Sequence, residues 1–75
     1  MVKTLDARDL RCPIPILKTK RALADVPVGR CLEILATDPG SPDDFVAFCD
    51  STGHELISQS LQSATVHRFV IRRTA

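Results

Sequence analysis

The residues best suited to chemistry in this chain lie between Asp9 and Pro15, in the stretch DLRCPIP. A helix tolerates proline in its first turn, because the N–H groups there have no intrahelical partner and the fixed φ of proline suits a helix. Pro13 and Pro15 therefore predict a helix that begins immediately after Cys12. The two rings also stiffen the backbone, which would hold the sulfur of Cys12 in a fixed direction.

A cysteine beside a helix N-terminus has a physical reason to be reactive. Unpaired N–H groups and the positive end of the helix dipole favour thiolate over thiol, and Arg8 and Arg11 add positive charge close by. We therefore expect the pKa of Cys12 to lie below its reference value of about 8.5. The resulting thiolate would be a nucleophile near neutral pH. Because Pro13 has no N–H, the later amides of the turn and the arginines must supply the stabilisation.

The sequence gives weaker evidence of a functional role for the other cysteines and the two histidines. Cys31 and Cys49 fit the usual buried, structural cysteine. The wide spacing of three cysteines and the absence of a CxxC pair argue against a disulfide framework, a thioredoxin-type pair and a zinc or iron–sulfur site. No metal is predicted, and the thiols are expected to be reduced, in the cytoplasm. His54 or His67 as a partner of Cys12 is not supported by the sequence, and the roles of both stay open.

The elements that position Cys12 follow from hydrophobic periodicity and from turn residues. A strand is predicted over Val2 to Ala7, and a helix follows from Pro13 to about Val26. A second strand, CLEILAT, ends at the turn Asp38-Pro39-Gly40. The second helix begins with Ser41 as N-cap and Pro42 at its first position, ends near Ser51 and is capped by Gly53; two strands, at 54–58 and 66–73, then form a hairpin with the loop 59–65.

This order, β-α-β-α-β-β, predicts a single domain over residues 1–75. Right-handed crossovers place both helices on one face of a four-stranded mixed sheet, which is an α+β two-layer sandwich. The other sheet face stays uncovered and is available for contacts. Since the carboxyl ends of parallel strands meet at one sheet edge, Asp38, although a turn residue, is also expected to line the site around Cys12.

On the first helix, a wheel gathers the apolar side chains Ile16, Leu17, Leu23 and Ala24 on the predicted core face. Lys18, Arg21 and Asp25 lie on the solvent face. Ile14 falls on this charged side, at i, i+4 and i+7 with Lys18 and Arg21. An isoleucine in that position is a candidate for contact with a partner.

Composition limits the partners. Ten Lys and Arg against nine Asp and Glu leave a net charge of +1, and only 4% of the residues are aromatic. Nucleic-acid binders are usually strongly basic and stack bases on aromatic rings, so no direct nucleic-acid contact is predicted. The sequence has no apolar run of signal-peptide or membrane-span length, and a cytoplasmic protein without a membrane partner is expected.

Residues 4 to 73 resemble the TusA (SirA-like) family of small sulfur carrier proteins. The family signature Cys-Pro-x-Pro stands here as Cys12-Pro13-Ile14-Pro15, after the similar lead-in LDARDLR. The stretches ATDPGS, FC at 48–49, GHEL at 53–56 and the terminal FVIRR match in the same order. The short signature alone is a weak pattern, but the set in this order is specific.

The resemblance implies that Cys12 accepts a sulfane sulfur as a persulfide and passes it to an acceptor protein, with no dissociable cofactor. Family donors include cysteine desulfurases and rhodanese-type proteins. Family acceptors serve tRNA thiolation, molybdenum cofactor synthesis or sulfur oxidation. Arg11, Pro13, Pro15 and Asp38 would shape the site, and the predicted docking rim comprises Arg8, Arg11, Ile14, Lys18 and Arg21.

Two other functions remain open from the sequence. A regulatory or RNA-binding module would use the basic strip and not the thiol. A redox-sensing protein would use Cys12 itself, as a sulfenic acid or a mixed disulfide. Replacing Cys12 with serine would leave the first function intact, whereas only the native donor and the modification found in cells would separate the second from a carrier.

Overall fold

A computed structural model describes residues 3–75 and has the predicted order of elements. These are β1 Lys3–Ala7, α1 Ile14–Leu23, β2 Cys31–Ala36, α2 Ser41–Thr52, β3 Glu55–Leu61 and β4 His67–Arg72. The strands lie in the order β1-β2-β4-β3; β1 and β2 are parallel, and the other neighbours are antiparallel. The predicted four-stranded mixed sheet and two-layer α+β sandwich are confirmed. The predicted start of the first strand at Val2 lies outside the described residues.

The hydrophobic core lies between the two helices and one face of the sheet. Along β2 the side chains of Leu32, Ile34 and Ala36 are all 0% exposed, as the alternation of the sequence predicts. The ring of Phe45 on α2 stacks on that of Phe69 on β4, with centroids 4.4 Å apart. This contact fixes α2 against the centre of the sheet.

The predicted core face of α1 is partly wrong. Leu23 is buried and Ile16 half-buried, but Ala24 is exposed and Leu17 is 55% exposed. The face that meets the sheet is Pro15, Thr19 and Leu23. Thr19 is accommodated there because its hydroxyl donates a hydrogen bond of 2.8 Å to the carbonyl of Pro15. The helix therefore turns Leu17 outward, to the same side as Ile14.

The start of α2 also differs from the prediction. Gly40 is the N-cap, and Ser41 is the first helical residue. Because glycine has no side chain, the cap residue itself offers no capping hydrogen bond. Asp38 supplies the acceptors in place of Ser41: its carboxylate accepts the N–H of Gly40 at 3.0 Å, and its carbonyl accepts that of Ser41 at 2.9 Å. At the other end the predicted cap is confirmed, since Gly53 has a φ of 81° and donates to the carbonyl of Cys49.

Two further boundaries are corrected. α1 ends at Leu23, three residues before the predicted end, and Arg73 donates from Nη1 to the carbonyl oxygens of Leu23, Ala24 and Val26 at 2.8–3.2 Å. β3 extends to Leu61, so the hairpin loop spans 62–66. The additional residues of β3 pair with β4 beyond a β-bulge between Leu56 and Ser58.

The sheet face opposite the helices carries several polar contacts between strands. Glu33 on β2 accepts a hydrogen bond from the Thr4 hydroxyl of β1 and forms an ion pair with Arg68 of β4. A second ion pair joins Arg72 of β4 to Glu55 of β3. These pairs link all four strands across the uncovered face. Within residues 3–75, neither helix has the length and apolar character needed to cross a membrane.

Candidate active site

Cys12 lies at the end of a loop that joins β1 to α1, and its side chain is exposed. Leu10 packs against the core from within this loop. The N–H of Asp9, which has a positive φ of 65°, donates to the hydroxyl of Thr37 at 2.8 Å. Asp is one of the few residues that adopt such a φ readily. The loop is thus held at its middle by the residue that follows β2.

Asp38 binds the backbone at Cys12. One carboxylate oxygen accepts the N–H of Cys12 at 2.7 Å, and the other accepts the N–H of Gly40 at 3.0 Å. These two hydrogen bonds, followed by the charge of Arg11, hold the pKa of Asp38 below its usual value. The parallel pairing of β1 and β2 brings Asp38 to Cys12, as expected from the sequence. It orients the loop through the main chain.

One of the two arginines expected to activate Cys12 is bound to a carboxylate. The guanidinium of Arg8 binds both carboxylate oxygens of Asp6 at 2.9 Å. Arg11 contributes its charge to Asp38. Both arginines therefore have an acidic neighbour that offsets their positive charge near Cys12.

The prediction of a lowered pKa for Cys12 is wrong, since its surroundings raise that pKa. The Asp44 carboxylate beside the thiol has the largest effect, followed by desolvation and by the charge of Asp38. The helix N-terminus offers little compensation, because Pro13 and Pro15 have no N–H and that of Ile14 donates to the carbonyl of Arg11 at 2.8 Å. These surroundings therefore favour the thiol over the thiolate.

Cys12, Asp38 and Asp44 form a compact acidic cluster. One Sγ or carboxylate oxygen from each residue lies within 4.8 Å of the corresponding atoms of the other two. This spacing, which the sequence analysis does not predict, also suits metal ligands. Exposed acidic groups in this arrangement are, however, common in proteins that bind no metal there. A shallow depression lined by Asp9, Leu10, Arg11, Thr37, Asp38 and Pro39 opens beside Cys12.

An exposed strip runs along α1 away from Cys12. Ile14 is 41% exposed and Leu17 is 55% exposed, and both lie on the side of Lys18 and Arg21. We name these four residues the α1 strip. It borders an open groove between α1 and β1, whose lining residues are Lys3, Leu5, Leu17, Lys18, Lys20, Arg21, Ala22 and Asp25. Arg8 of the predicted rim is not in this group, since it is bound to Asp6.

The remaining predicted residues are dispersed. Cys49 is buried on α2, where burial raises its pKa, and Cys31 is half-buried at the start of β2. His54 accepts a hydrogen bond from the N–H of Thr74 through its Nδ1 atom. The ring of His67 stacks near Phe69 on β4. These contacts account for both histidines without Cys12.

Thr37, Asp44 and Leu17 are site residues that the sequence alone does not predict. Thr37 and Asp44 flank the Asp38 turn, and the rule that parallel strands end at one sheet edge applies to them as well. A helical wheel places Leu17 on the core face, because the wheel does not contain the contacts by which Pro15 and Thr19 meet the sheet.

Comparison with known proteins decides the family. A family model described as Sulfurtransferase TusA matches residues 3–73. The chain belongs to the TusA family. It is 43% identical over 70 residues to the sulfur carrier protein TusA of Allochromatium vinosum, which covers 93% of this chain and 91% of that protein. It is 53% identical over 60 residues to a Neisseria meningitidis protein named as a candidate sulfur carrier, covering 80% and 81% of the two chains.

A solved structure agrees with the fold of this TusA family chain. The crystal structure of a SirA-like protein from Desulfitobacterium hafniense superposes with a TM-score of 0.83 over the whole of both chains, at 22% identity. The likeness at that identity concerns the fold. It shows that the β-α-β-α-β-β sandwich is the architecture of a SirA-like protein.

Proposed function

We propose that this protein is a sulfur carrier that receives a sulfane sulfur on Cys12 as a persulfide and delivers it to an acceptor protein. The observation that carries the proposal is an exposed Cys12 inside an intact Cys-Pro-x-Pro motif of a TusA family chain. Relatives that cover nearly the same length are named sulfur carriers. No cofactor takes part, since the carried group is the sulfur itself.

The loading step is an exchange at sulfur. The Cys12 sulfur attacks the terminal sulfur of a donor persulfide; a bond forms between these atoms, and the sulfur–sulfur bond of the donor breaks. The proton of the Cys12 thiol balances the charge on the departing donor sulfur. The products are a Cys12 persulfide and a donor thiol, with no net oxidation. Delivery to an acceptor thiol repeats the exchange with Cys12 as the leaving sulfur.

The chain holds a nucleophile and no enclosed substrate site in residues 3–75, because the depression beside Cys12 is shallow and open. A partner must therefore bring its own sulfur to Cys12. We assign docking to the α1 strip, together with Arg11, which lines that depression. The groove beside the strip has four basic residues and one acidic residue, so it favours a partner with an acidic surface and apolar contacts. Cysteine desulfurases and rhodanese-type proteins are the donor classes to test.

One observation weighs against an RNA-binding function. Phe45, Phe48 and Phe69, the three aromatic residues of the chain, are all buried in the core and offer no platform for stacking RNA bases. A redox-sensing thiol would use the same Cys12 thiolate as sulfur exchange, so the modification that Cys12 carries in cells separates these two functions. The acceptor pathways in tRNA thiolation, molybdenum cofactor synthesis and sulfur oxidation fit the proposal equally well. Function in the cytoplasm, where thiols stay reduced, is part of this proposal.

Intact-protein mass spectrometry tests the carrier function. The protein is incubated with a purified cysteine desulfurase and cysteine, or with a rhodanese and thiosulfate. We expect a gain of one sulfur mass that a reductant removes and that Cys12→Ser lacks. Cys31→Ser is the matched control, because it also removes a thiol that is not fully buried. Loading that persists in Cys12→Ser, or its absence with every donor, would contradict the proposal.

A further inference from the structure

Asp44 differs from the other carboxylate beside Cys12 in what it binds. Both oxygens of Asp38 accept backbone N–H groups, from Cys12 and Gly40. The carboxylate of Asp44 instead faces the Cys12 side chain, with an oxygen within 4.8 Å of the sulfur. Asp38 therefore holds the main chain, and Asp44 lies beside the reactive atom.

The first turn of α2 places Asp44 beside the sulfur of Cys12. Asp44 lies in the first turn of α2, where its N–H donates to the carbonyl of Gly40 at 3.0 Å. A β-carbon at position 40 would lie 3.7 Å from a carboxylate oxygen of Asp44 and 3.6 Å from one of Asp38. Gly40 thus lies between the two acidic side chains. Asp43, the preceding residue, carries the same charge in the same turn but is exposed to solvent.

The charged groups around the sulfur come from three segments. Asp44 belongs to α2 and Asp38 to the turn before it, while Asp9 and Arg11 belong to the loop of Cys12. The charge of Arg11 acts on Asp38, which also binds two N–H groups. Asp44 is therefore the negative group that most directly opposes ionisation of Cys12.

We propose that Asp44 is a positioning residue that keeps the Cys12 thiol protonated in the free protein, so that its exposed sulfur reacts slowly with electrophiles other than those of a docked partner. Solvent exposure alone would leave the sulfur open to any electrophile. The negative charge of Asp44 within 4.8 Å of the sulfur reduces the thiolate fraction without covering the site. A docked partner that displaces or neutralises the Asp44 carboxylate would raise this fraction. The benefit to sulfur transfer rests on the proposed carrier function, whereas protonation by Asp44 can be measured without it.

The test is alkylation of Cys12 by iodoacetamide as a function of pH, followed by peptide mass spectrometry so that Cys31 and Cys49 do not interfere. Asp44→Asn should move the midpoint of Cys12 alkylation to lower pH. For each ten-fold gain in thiolate, the lower basicity of the sulfur removes about a factor of three in reactivity, so a net acceleration of about three-fold at neutral pH is expected. Asp44→Glu should keep the wild-type profile more closely than Asp44→Asn.

Asp43→Asn is the matched control, since it removes the same charge from the same helical turn and should leave the profile unchanged. An unchanged midpoint in Asp44→Asn would overturn the proposal, as would an equal movement in Asp43→Asn, which would reveal a general charge effect. Circular dichroism confirms that each variant is folded. Sulfur loading is measured separately: a wild-type protein that does not load while Asp44→Asn shifts the profile refutes the carrier function alone.

Discussion

The carboxylate of Asp38 accepts the main-chain N–H of Cys12 at 2.7 Å, across 26 positions of sequence. Its second oxygen accepts the N–H of Gly40. Cys12 is thereby tied to the start of α2. Charge-assisted hydrogen bonds of this type stabilise more than neutral ones, so the tie limits the motion of the Cys12 loop.

Asp38→Ala should loosen that loop. Loss of one charge-assisted hydrogen bond corresponds to about 1.5–3 kcal/mol, and we expect amide hydrogen exchange at Cys12 to accelerate by a factor on the order of ten or more. Sulfur loading should slow as well, because the sulfur loses its fixed direction. Asp50→Ala, an exposed carboxylate later on α2, is the control. Unchanged exchange at Cys12 in Asp38→Ala would show that the loop holds its shape by other contacts.

Leu17→Ser should weaken binding to a donor protein. Loss of the leucine side chain from the interface should raise the Kd about ten-fold, which corresponds to ~1.4 kcal/mol. Leu61→Ser is a stringent control, since Leu61 is 64% exposed but lies on β3, at the opposite edge of the sheet from β1. Titration calorimetry with a cysteine desulfurase measures both. Equal effects of the two substitutions would remove the α1 strip from the docking surface.

Arg73→Ala should destabilise the protein by about 2 kcal/mol, because three carbonyl oxygens at and just beyond the end of α1 lose a charged donor. Arg72→Ala removes the neighbouring guanidinium, whose partner is the exposed carboxylate of Glu55, and should cost less than about 1 kcal/mol. Urea unfolding of both variants gives the comparison. A larger loss in Arg72→Ala would mean that the open face, rather than the end of α1, depends on these arginines.

Acid should destabilise the fold through its bound carboxylates. Hydrogen bonds and the charge of Arg8 lower the pKa of Asp6 to about 2, and Thr4 and Arg68 lower that of Glu33. Since a lowered pKa in the folded state stabilises it above the unfolded pKa of about 4, stability is lost as pH falls from there toward 2. The urea midpoint should be constant between about pH 7 and 5 and should decrease at lower pH. Asp6→Asn should flatten the decrease, and a midpoint that rises in acid would contradict the assignment.

Sequence reasoning succeeded where one local rule sufficed. The alternation in β2 identified its buried face, and the end of a parallel strand brought Asp38 to Cys12. It failed where two elements had to be combined. The phase of α1 depends on how Pro15 and Thr19 meet the sheet, which a helical wheel does not contain, so Leu17 was misplaced.

The predicted decrease in the pKa of Cys12 is wrong for a related reason. The sequence shows two arginines within four residues of Cys12, but it does not show that Asp6 binds Arg8. Nor does it show that the first turn of α2 brings Asp44 to the sulfur. Electrostatic effects depend on distances of a few ångströms, and these are set by tertiary packing.

The acidic cluster around Cys12 exists only when β1 and β2 are paired, since Asp38 and Asp44 come from a distant segment of the chain. In an unfolded chain Cys12 has the ordinary pKa of a cysteine, and in the folded chain a higher one. Folding therefore slows the reaction of a thiol that it leaves in contact with solvent. The alkylation rate of Cys12 at neutral pH becomes a reporter of global unfolding, which can follow refolding kinetics in the unmodified sequence without an added fluorophore.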